Sequence, residues 1–386
     1  MTQNMLAYKF RLYPTKRQKE VFEETIETCR RLYNSMLADR IENGNGYYEQ
    51  KGKLVAMKKD NKYLRKVHSQ VLQDVVLRLD KSFMRFLSGI SRYPRFKRVG
   101  RYNSFTYPQF IKSFKIEGNN IKLGMIGKVK MRLHREVTGT PKTATVIREI
   151  DQWFLALSVA RSASDKQPSR MSIGSIGIDM GISSIITLSD GSTIGNPRFF
   201  KQAGNQIRKL QKQISRKEKG SKNRDKARIR LAKAWRYVRR RRDNFAHQIS
   251  DDLARRFSFI VFEDLNVGKM IQNHSLASAI MDSLWGKLRR LTVYKAERRG
   301  GRVLFVNPSG TSQKCSECGS DVSKNLKERI HNCPSCGLQT DRDVNAARNV
   351  LKAGLERALA ESEPLLVQRK RISKFSRGSA KSLALS

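Results

Sequence analysis

Three carboxylates sit where a folded chain rarely tolerates them. Asp179 closes an apolar run in IGIDMG, Glu263 closes another in FIVFEDLN, and Asp343 stands in DRDVNAARN just after a four-cysteine cluster. A carboxylate at the end of an apolar strand is costly to bury unless a cation or hydrogen bonds neutralise it. The flanking residues read as strand ends. Residues 175–178 lead into Asp179, Gly181 offers a turn, and 185–188, Asp190-Gly191 and 192–194 read as a hairpin. Residues 257–262 form an apolar, β-branched run ending on Glu263, Asn266 and Gly268 supply the exit, and 302–306 is a further strand. Helical spacing over 344–351 puts Asp343 near a helix start, where negative charge is favoured. Any one of these acids could be a surface turn residue. Together they are expected to converge on magnesium, because hard cations take oxygen ligands, and two such ions roughly 3.5–4 Å apart stabilise both the attacking and leaving oxygens of a phosphodiester. That chemistry needs no nucleophilic side chain, and it predicts a metal-dependent nuclease.

The second constraint is Cys315-x-x-Cys318, followed after fourteen residues by Cys333-x-x-Cys336, a spacing suited to tetrahedral zinc with four thiolate ligands. Disulfides are disfavoured: only five cysteines occur, the fifth, Cys29, is isolated in a helical pattern, and no secretory signal is evident, so a reducing cytosol is expected. With four ligands supplied by cysteine, and His331 not needed, the zinc should be structural.

Charge indicates the partner. Lys plus Arg number 78 against 34 Asp plus Glu, a formal charge of +44 over 386 residues, so a polyanion is expected. Apolar residues make up 39%, enough for a core, and no stretch approaches the roughly 20 apolar residues of a membrane span. The basic residues are spread over several segments, which favours nucleic acid over a membrane surface and leaves no reason to expect a small-molecule substrate.

Along the chain, residues 6–12 alternate as a strand. Pro14-Thr15 then opens a helix with Phe22, Ile26, Cys29, Tyr33 and Met36 on one face. After the Asn-Gly repeat at 43–46, a later helix carries Val71, Leu72, Val75, Leu79, Phe83 and Phe86. Between residues 93 and 107, cations alternate with aromatics: Arg95, Phe96, Lys97, Arg98, Arg101, Tyr102, Phe105 and Tyr107. Such a segment can stack bases while meeting phosphates, or it can be the basic edge of a β-domain whose aromatics are core. Short strands over 114–116, 121–123, 128–133, 143–150 and 153–159 suggest a β-barrel-like module, and the Ser-rich 161–174 a linker. Between Asp179 and Glu263, apolar repeats at Ile207, Leu210, Ile214 and at Leu231, Trp235, Val238 predict a helical hairpin. Its other faces, including Arg239, Arg240, Arg241 and Arg242, are expected to track phosphates. His247, on the next helix, reads as a packing residue.

IGIDMG, FEDLN, TSQKCSECG, NCPSCG and DRDVNAARN, in that order, resemble the RuvC-type nuclease of TnpB proteins from insertion sequences, and YKFRLYPTKRQ and PRFKRVGRYNSFTYPQ resemble that family's N-terminal region. The resemblance runs from about residue 5 to 355, and the family is similar to compact type V CRISPR effectors. It implies an α/β multidomain chain: a β-barrel-like wedge module (1–13 and 91–168) interrupted by a helical recognition insertion (14–90), and an RNase H-like (RuvC) nuclease (169–310 and 339–356). The nuclease would carry a basic helical insertion at about 200–242 and a four-cysteine zinc ribbon (311–338), and a basic, disordered tail (357–386) would follow. It also implies a prokaryotic cytosolic endonuclease, guided by RNA from the transposon end to double-stranded DNA beside a short motif. In that frame Asp179, Glu263 and Asp343 correspond to the catalytic acids; Asp341 is a competing candidate, and Asp343 is preferred because it directly precedes the Val-Asn-Ala-Ala helix start. Ser69, Gln70, Thr106, Tyr107 and Gln109 are candidates for reading the motif. Two alternatives stay open: a transposase acting without guide RNA on the same fold, and a non-catalytic RNA-binding zinc-ribbon protein.

Overall fold

The computed structural model describes residues 4–161, 174–270, 272, 279–280, 282–325 and 328–379. The chain divides into two compact units, Met1–Lys166 and Gln167–Ser386. The expected linker at 161–174 falls almost entirely outside the described residues.

The first unit is built on seven strands: β1 (Asn4–Tyr13), β2 (Ser104–Tyr107), β3 (Phe114–Glu117), β4 (Asn120–Leu123), β5 (Gly127–Arg132), β6 (Thr140–Glu149) and β7 (Gln152–Arg161). They form one sheet in the order β2-β6-β7-β1-β5-β4-β3, with every neighbouring pair antiparallel. Alternation along β1 turns Tyr8, Phe10 and Leu12 into the core. Helix α1 (Lys16–Asn43) starts at a capping box, in which Thr15 accepts from the Gln18 backbone and Gln18 reaches back to Thr15; it stops at Gly44, whose φ of 69° is the left-handed conformation that glycine adopts without a Cβ clash. After α2 (Tyr47–Asp60) and the short α3 (Lys62–Arg65), helix α4 (Ser69–Leu87) buries Val71, Leu72, Val75, Val76, Leu79 and Phe83. Full burial of each large apolar side chain contributes about 1.5–3 kcal/mol. Phe86, expected on that stripe, lies off it and packs edge-on against Tyr93 instead.

The second unit holds β8 (Ser175–Asp179), β9 (Ser184–Leu188), β10 (Thr193–Gly195), α5 (Phe199–Ser215), α6 (Lys222–Arg256), β11 (Phe259–Glu263), α7 (Val267–Met270), α8 (Trp285–Arg298), β12 (Arg302–Val306), β13 (Ile330–Asn332), β14 (Gln339–Asp341) and α9 (Arg342–Ser379). Its main sheet runs β10-β9-β8-β11-β12: β8, β9 and β10 form an antiparallel meander, while β11 pairs parallel with both β8 and β12. Helix α9 lies close on this sheet because two glycines leave room for it. A Cβ on Gly177 would stand 2.1 Å from the Ala347 carbonyl oxygen, and one on Gly354 would stand 2.4 Å from Val261 Cγ2. The tail expected to be disordered from 357 instead continues α9 as far as Ser379. Its first part is held by a 2.9 Å ion pair between Arg357 and Glu361, four residues apart on one helix face, with Glu361 also paired to Arg302. Residues 380–386 lie outside the described residues.

Candidate active site and cysteine centre

Parallel pairing of β8 with β11 sets Ile178 opposite Phe262, so the next residue on each strand, Asp179 and Glu263, emerges side by side at the carboxyl end of the sheet. Glu263 is buried, and its Oε1 accepts a 2.6 Å hydrogen bond from the Thr311 hydroxyl. Burial, then the charges of Glu263 and Asp343, push the Asp179 carboxyl up to about 8. Burial also raises Glu263, against hydrogen bonds from Thr311 and Asp179. Asp343, half-buried in the first turn of α9, is raised by burial and by its neighbour Asp341; the Arg329 guanidinium stands 3.8 Å away.

The two acids of DRD are used differently in the fold. Asp341 Oδ1 accepts from the backbone N–H groups of Asp343 (2.8 Å) and Val344 (3.2 Å), so this side chain caps α9, while it is the Asp343 charge that Asp179 feels. Three acids whose charged forms are disfavoured first by burial, with the charges of Glu263 and Asp343 adding to the effect at Asp179, form a donor set suited to a hard divalent cation, which offsets that cost.

The four cysteines form a tighter set. Cys315, Cys318, Cys333 and Cys336 bring their Sγ atoms within 4.8 Å of one another, with Cys315–Cys336 at 3.6 Å and Cys318–Cys333 at 3.5 Å. Zinc–sulfur bonds of about 2.3 Å in a tetrahedron separate sulfurs by about 3.8 Å, so the cluster fits zinc. Among the described residues it is the only group of three or more candidate ligands gathered that closely, and the acid trio is looser.

Sequence reasoning missed what joins the two sets. Asn345, fully buried, accepts from the Ser316 N–H (2.9 Å) and donates to the Lys314 carbonyl (2.8 Å); Asn349, one turn later, donates to the carbonyls of Thr311 (2.8 Å) and Lys314 (2.7 Å). Thr311 in turn bonds Glu263, so helix, cysteine loop and buried acid form one hydrogen-bonded chain. The i, i+4 spacing of the two asparagines in VNAARN was the available signal.

The expected nucleic-acid residues divide. Arg95, Arg98 and Arg101 are exposed, and Lys97 is half-buried, its backbone clasped by Asn34 (2.7 Å from the Lys97 N–H) and Arg30 (2.8 Å to its carbonyl). Tyr102 and Tyr107 are corrections: both rings lie in the core, and the Tyr107 hydroxyl donates to the Gly124 carbonyl at 2.8 Å, so neither offers a face to a base. Thr106 is likewise buried, its hydroxyl engaged by Thr145 and Arg78, and cannot read an external motif. Ser69, Gln70 and Gln109 do meet at the start of α4: Gln70 donates to Gln109, and Lys58 donates to the Ser69 hydroxyl at 2.7 Å. In the arginine run, Arg239, Arg240 and Arg241 are exposed, Arg241 lying over the Phe199 ring at 4.7 Å, while the half-buried Arg242 lies 3.8 Å from Asp282.

Residues 158–274 match the family model described as "Probable transposase" (OrfB_IS605), 285–350 match "Cas12f1-like, TNB domain", and 1–53 match "Helix-turn-helix domain". The chain is 31% identical over 373 residues to the "Putative RNA-guided DNA endonuclease InsQ" of Escherichia coli K12, covering 90% of this chain and 92% of that protein. The chain belongs to the TnpB/IS605 family. A second member, "Putative RNA-guided DNA endonuclease" from Streptomyces pristinaespiralis, is 34% identical over 370 residues, covering 92% of this chain and 90% of its own. Among solved structures, the Cas12f1 chain of a Cas12f1–sgRNA–target DNA complex superposes with a TM-score of 0.55 at 11% identity, over 91% of this chain and 99% of that one, a likeness of fold. The family match and that likeness agree with the mixed α/β architecture and the cysteine cluster described above.

Proposed function

We propose that the chain is an RNA-guided DNA endonuclease that cleaves double-stranded DNA matching a bound RNA from its transposon end, next to a short adjacent motif. The observation that carries this reading is the parallel register that leaves Asp179 and Glu263 as neighbours at the carboxyl ends of two central strands, within the electrostatic reach of Asp343. The sheet order, an antiparallel three-strand meander extended by two parallel strands, supports an RNase H-like (RuvC) assignment for the second unit. In the same reading the seven-stranded unit with its helices serves as wedge and recognition modules, and 311–338 as a zinc ribbon held by Cys315, Cys318, Cys333 and Cys336.

Asp179, Glu263 and Asp343 would hold magnesium, which supplies charge neutralisation at the scissile phosphate and an activated water. The chain's own residues prepare that site. Thr311 fixes the Glu263 carboxylate, Asn345 and Asn349 fix Thr311 and the cysteine loop, and Asp341 starts the helix that presents Asp343. The exposed cations Arg95, Arg98, Arg101, Arg239 and Arg240 are assigned to phosphates, which position without specifying sequence. Base pairing with the RNA would supply specificity, leaving the protein to read only the adjacent motif, for which the cluster of Ser69, Gln70 and Gln109 is the surviving candidate.

The test is to purify the protein, sequence the RNA that accompanies it, and assay magnesium-dependent cleavage of a target matching that RNA with randomised flanks. Discrete RNA and cutting beside one short motif are expected. Strand joining without RNA would favour the transposase reading that the description of the 158–274 family model carries. Heterogeneous RNA with neither cutting nor joining would favour a non-catalytic RNA-binding protein.

A further inference from the structure

The sequence contains three tryptophans. Trp153 and Trp285 are buried, at 5% and 3% exposure; Trp235, on the apolar stripe expected to pack the helical hairpin, is 39% exposed. One side of its ring system is occupied: Trp235 stacks on Phe200 at 5.5 Å between centroids and 16° between planes, which joins α6 to α5 and fixes the indole. Trp235 also lines two separate clefts. One, of about 340 Å³, is edged by Arg239, Arg242 and Lys287; the other, of about 590 Å³, is edged by Arg198, Lys201 and Arg208. Both volumes suit an organic group of moderate size, roughly 300–1,000 Å³. Asp243 and Asp282 are the acidic side chains lining the two clefts, one in each; Asp243 is ion-paired with Lys287 and Asp282 lies 3.8 Å from Arg242, and cations still outnumber acids in both clefts.

Both clefts are rooted on the loop that follows Asp179. Trp285 lines the first and donates from Nε1 to the Gly181 carbonyl at 3.1 Å. Asn196 lines the second and donates to the Ile182 carbonyl at 3.1 Å. A pre-oriented indole between two cationic clefts, tied to the backbone beside a candidate catalytic acid, has the parts of a stacking site: an aromatic plane for a base and flanking charges for the phosphates on either side of it.

We propose that Trp235 is the stacking platform for an unpaired base of single-stranded DNA, with the neighbouring phosphates held by Arg239 on one side and by Arg198, Lys201 and Arg208 on the other. This deepens the nuclease reading and rests on it for the choice of DNA as occupant: a strand laid across Trp235 runs toward the Asp179 loop. A paired base hides its faces in the duplex stack, so the site selects a strand already opened.

The buried positions of the other two tryptophans make the test direct. Full-length protein is titrated with a short oligothymidylate in magnesium-free buffer without chelator, so that contact is read without cutting, and tryptophan emission and affinity are followed together. Wild-type emission should be quenched on binding. Trp235→Phe should remove the quench while keeping affinity within about 3-fold, because a ring remains. Trp235→Ala should weaken binding by about 5- to 100-fold, with the slope of log affinity against log salt unchanged, because a stack and no phosphate contact is lost. Far-UV circular dichroism on both variants separates a lost stack from a disrupted hairpin. Absence of quenching in the wild-type protein, a quench that persists in Trp235→Phe, or undiminished affinity in a folded Trp235→Ala would overturn the proposal. Stronger binding and quenching by oligouridylate would overturn the assignment to DNA. Since no cleavage is measured, these outcomes are independent of whether the acids cut DNA.

Discussion

The four cysteines and the three carboxylates are both metal-type donor sets, yet they are assembled in opposite ways. The cysteines come as two short loops, each supplying two ligands three residues apart, and their sulfurs are already gathered within 4.8 Å. The carboxylates come from β8, β11 and the start of α9, elements far apart in sequence, and meet only because the sheet pairs in one register and α9 lies on it through Gly177 and Gly354. The cysteine set therefore stands close to its bonded geometry. The acids are held where burial disfavours their charged forms, and at Asp179 the charges of Glu263 and Asp343 add to that cost. A structural centre can be closed and relaxed, whereas a site for chemistry must hold charge it would otherwise shed.

Several outcomes break or sharpen this contrast. The largest should come from the cysteine centre. Zinc at such sites contributes on the order of 10 kcal/mol to local folding, so Cys315→Ser, or chelation of zinc, should unfold the ribbon and, through Asn345 and Asn349, loosen the Thr311–Glu263 contact. Proteolysis of the cysteine loop before and after chelation checks it; an unchanged pattern would mean the cluster is not metal-held. Next, Asp179→Ala or Glu263→Ala should lower cleavage on the order of 10³-fold or more while RNA binding stays within about 2-fold, because a cation ligand is lost and the basic surface is not. Cleavage retained by either variant would sink the assignment.

Smaller effects probe the link between the two sets. Asn345→Ala leaves the Ser316 N–H without its side-chain partner and the Lys314 carbonyl with Asn349 alone, and should cost about 1–3 kcal/mol in chemical denaturation. Finally, Asp179 gives a pH signature. Its folded-state affinity for protons is raised, so the folded protein keeps a proton that the unfolded chain releases. Without magnesium, the stability that this group contributes should therefore be full below about pH 4 and be lost as pH rises toward about 8. Magnesium should reverse this trend, stabilising more at pH 8 than at pH 5. Thermal unfolding of wild type against Asp179→Asn isolates the effect, and identical pH profiles in the two would contradict it.

Much of this was legible in local sequence, where the physics is local. The runs ending on Asp179 and Glu263 are strands, the hairpin 185–194 is present as β9 and β10, and the two arms between Asp179 and Glu263 are α5 and α6. What stayed hidden depended on partners distant in the chain. Whether Tyr102 and Tyr107 face solvent or core is decided by α1, α4 and β6 packing on them, and the basic residues around them pointed the other way. Asn345 and Asn349 read as ordinary polar positions of a helix until their carbonyl partners, roughly thirty residues earlier, are seen. Trp235 sits on an apolar stripe and yet reaches the surface, because Phe200 takes only one side of it.

The most direct test of the account turns on two neighbouring acids, Asp343, which the sequence favours, and its competitor Asp341. Single-turnover cleavage of RNA-matched duplex DNA in magnesium is compared for Asp343→Ala and Asp341→Ala. The account predicts that Asp343→Ala abolishes cleavage, while Asp341→Ala, having lost a helix cap, costs about 1 kcal/mol of stability and still cuts. Abolished cutting in a folded Asp341→Ala with activity retained by Asp343→Ala would contradict it.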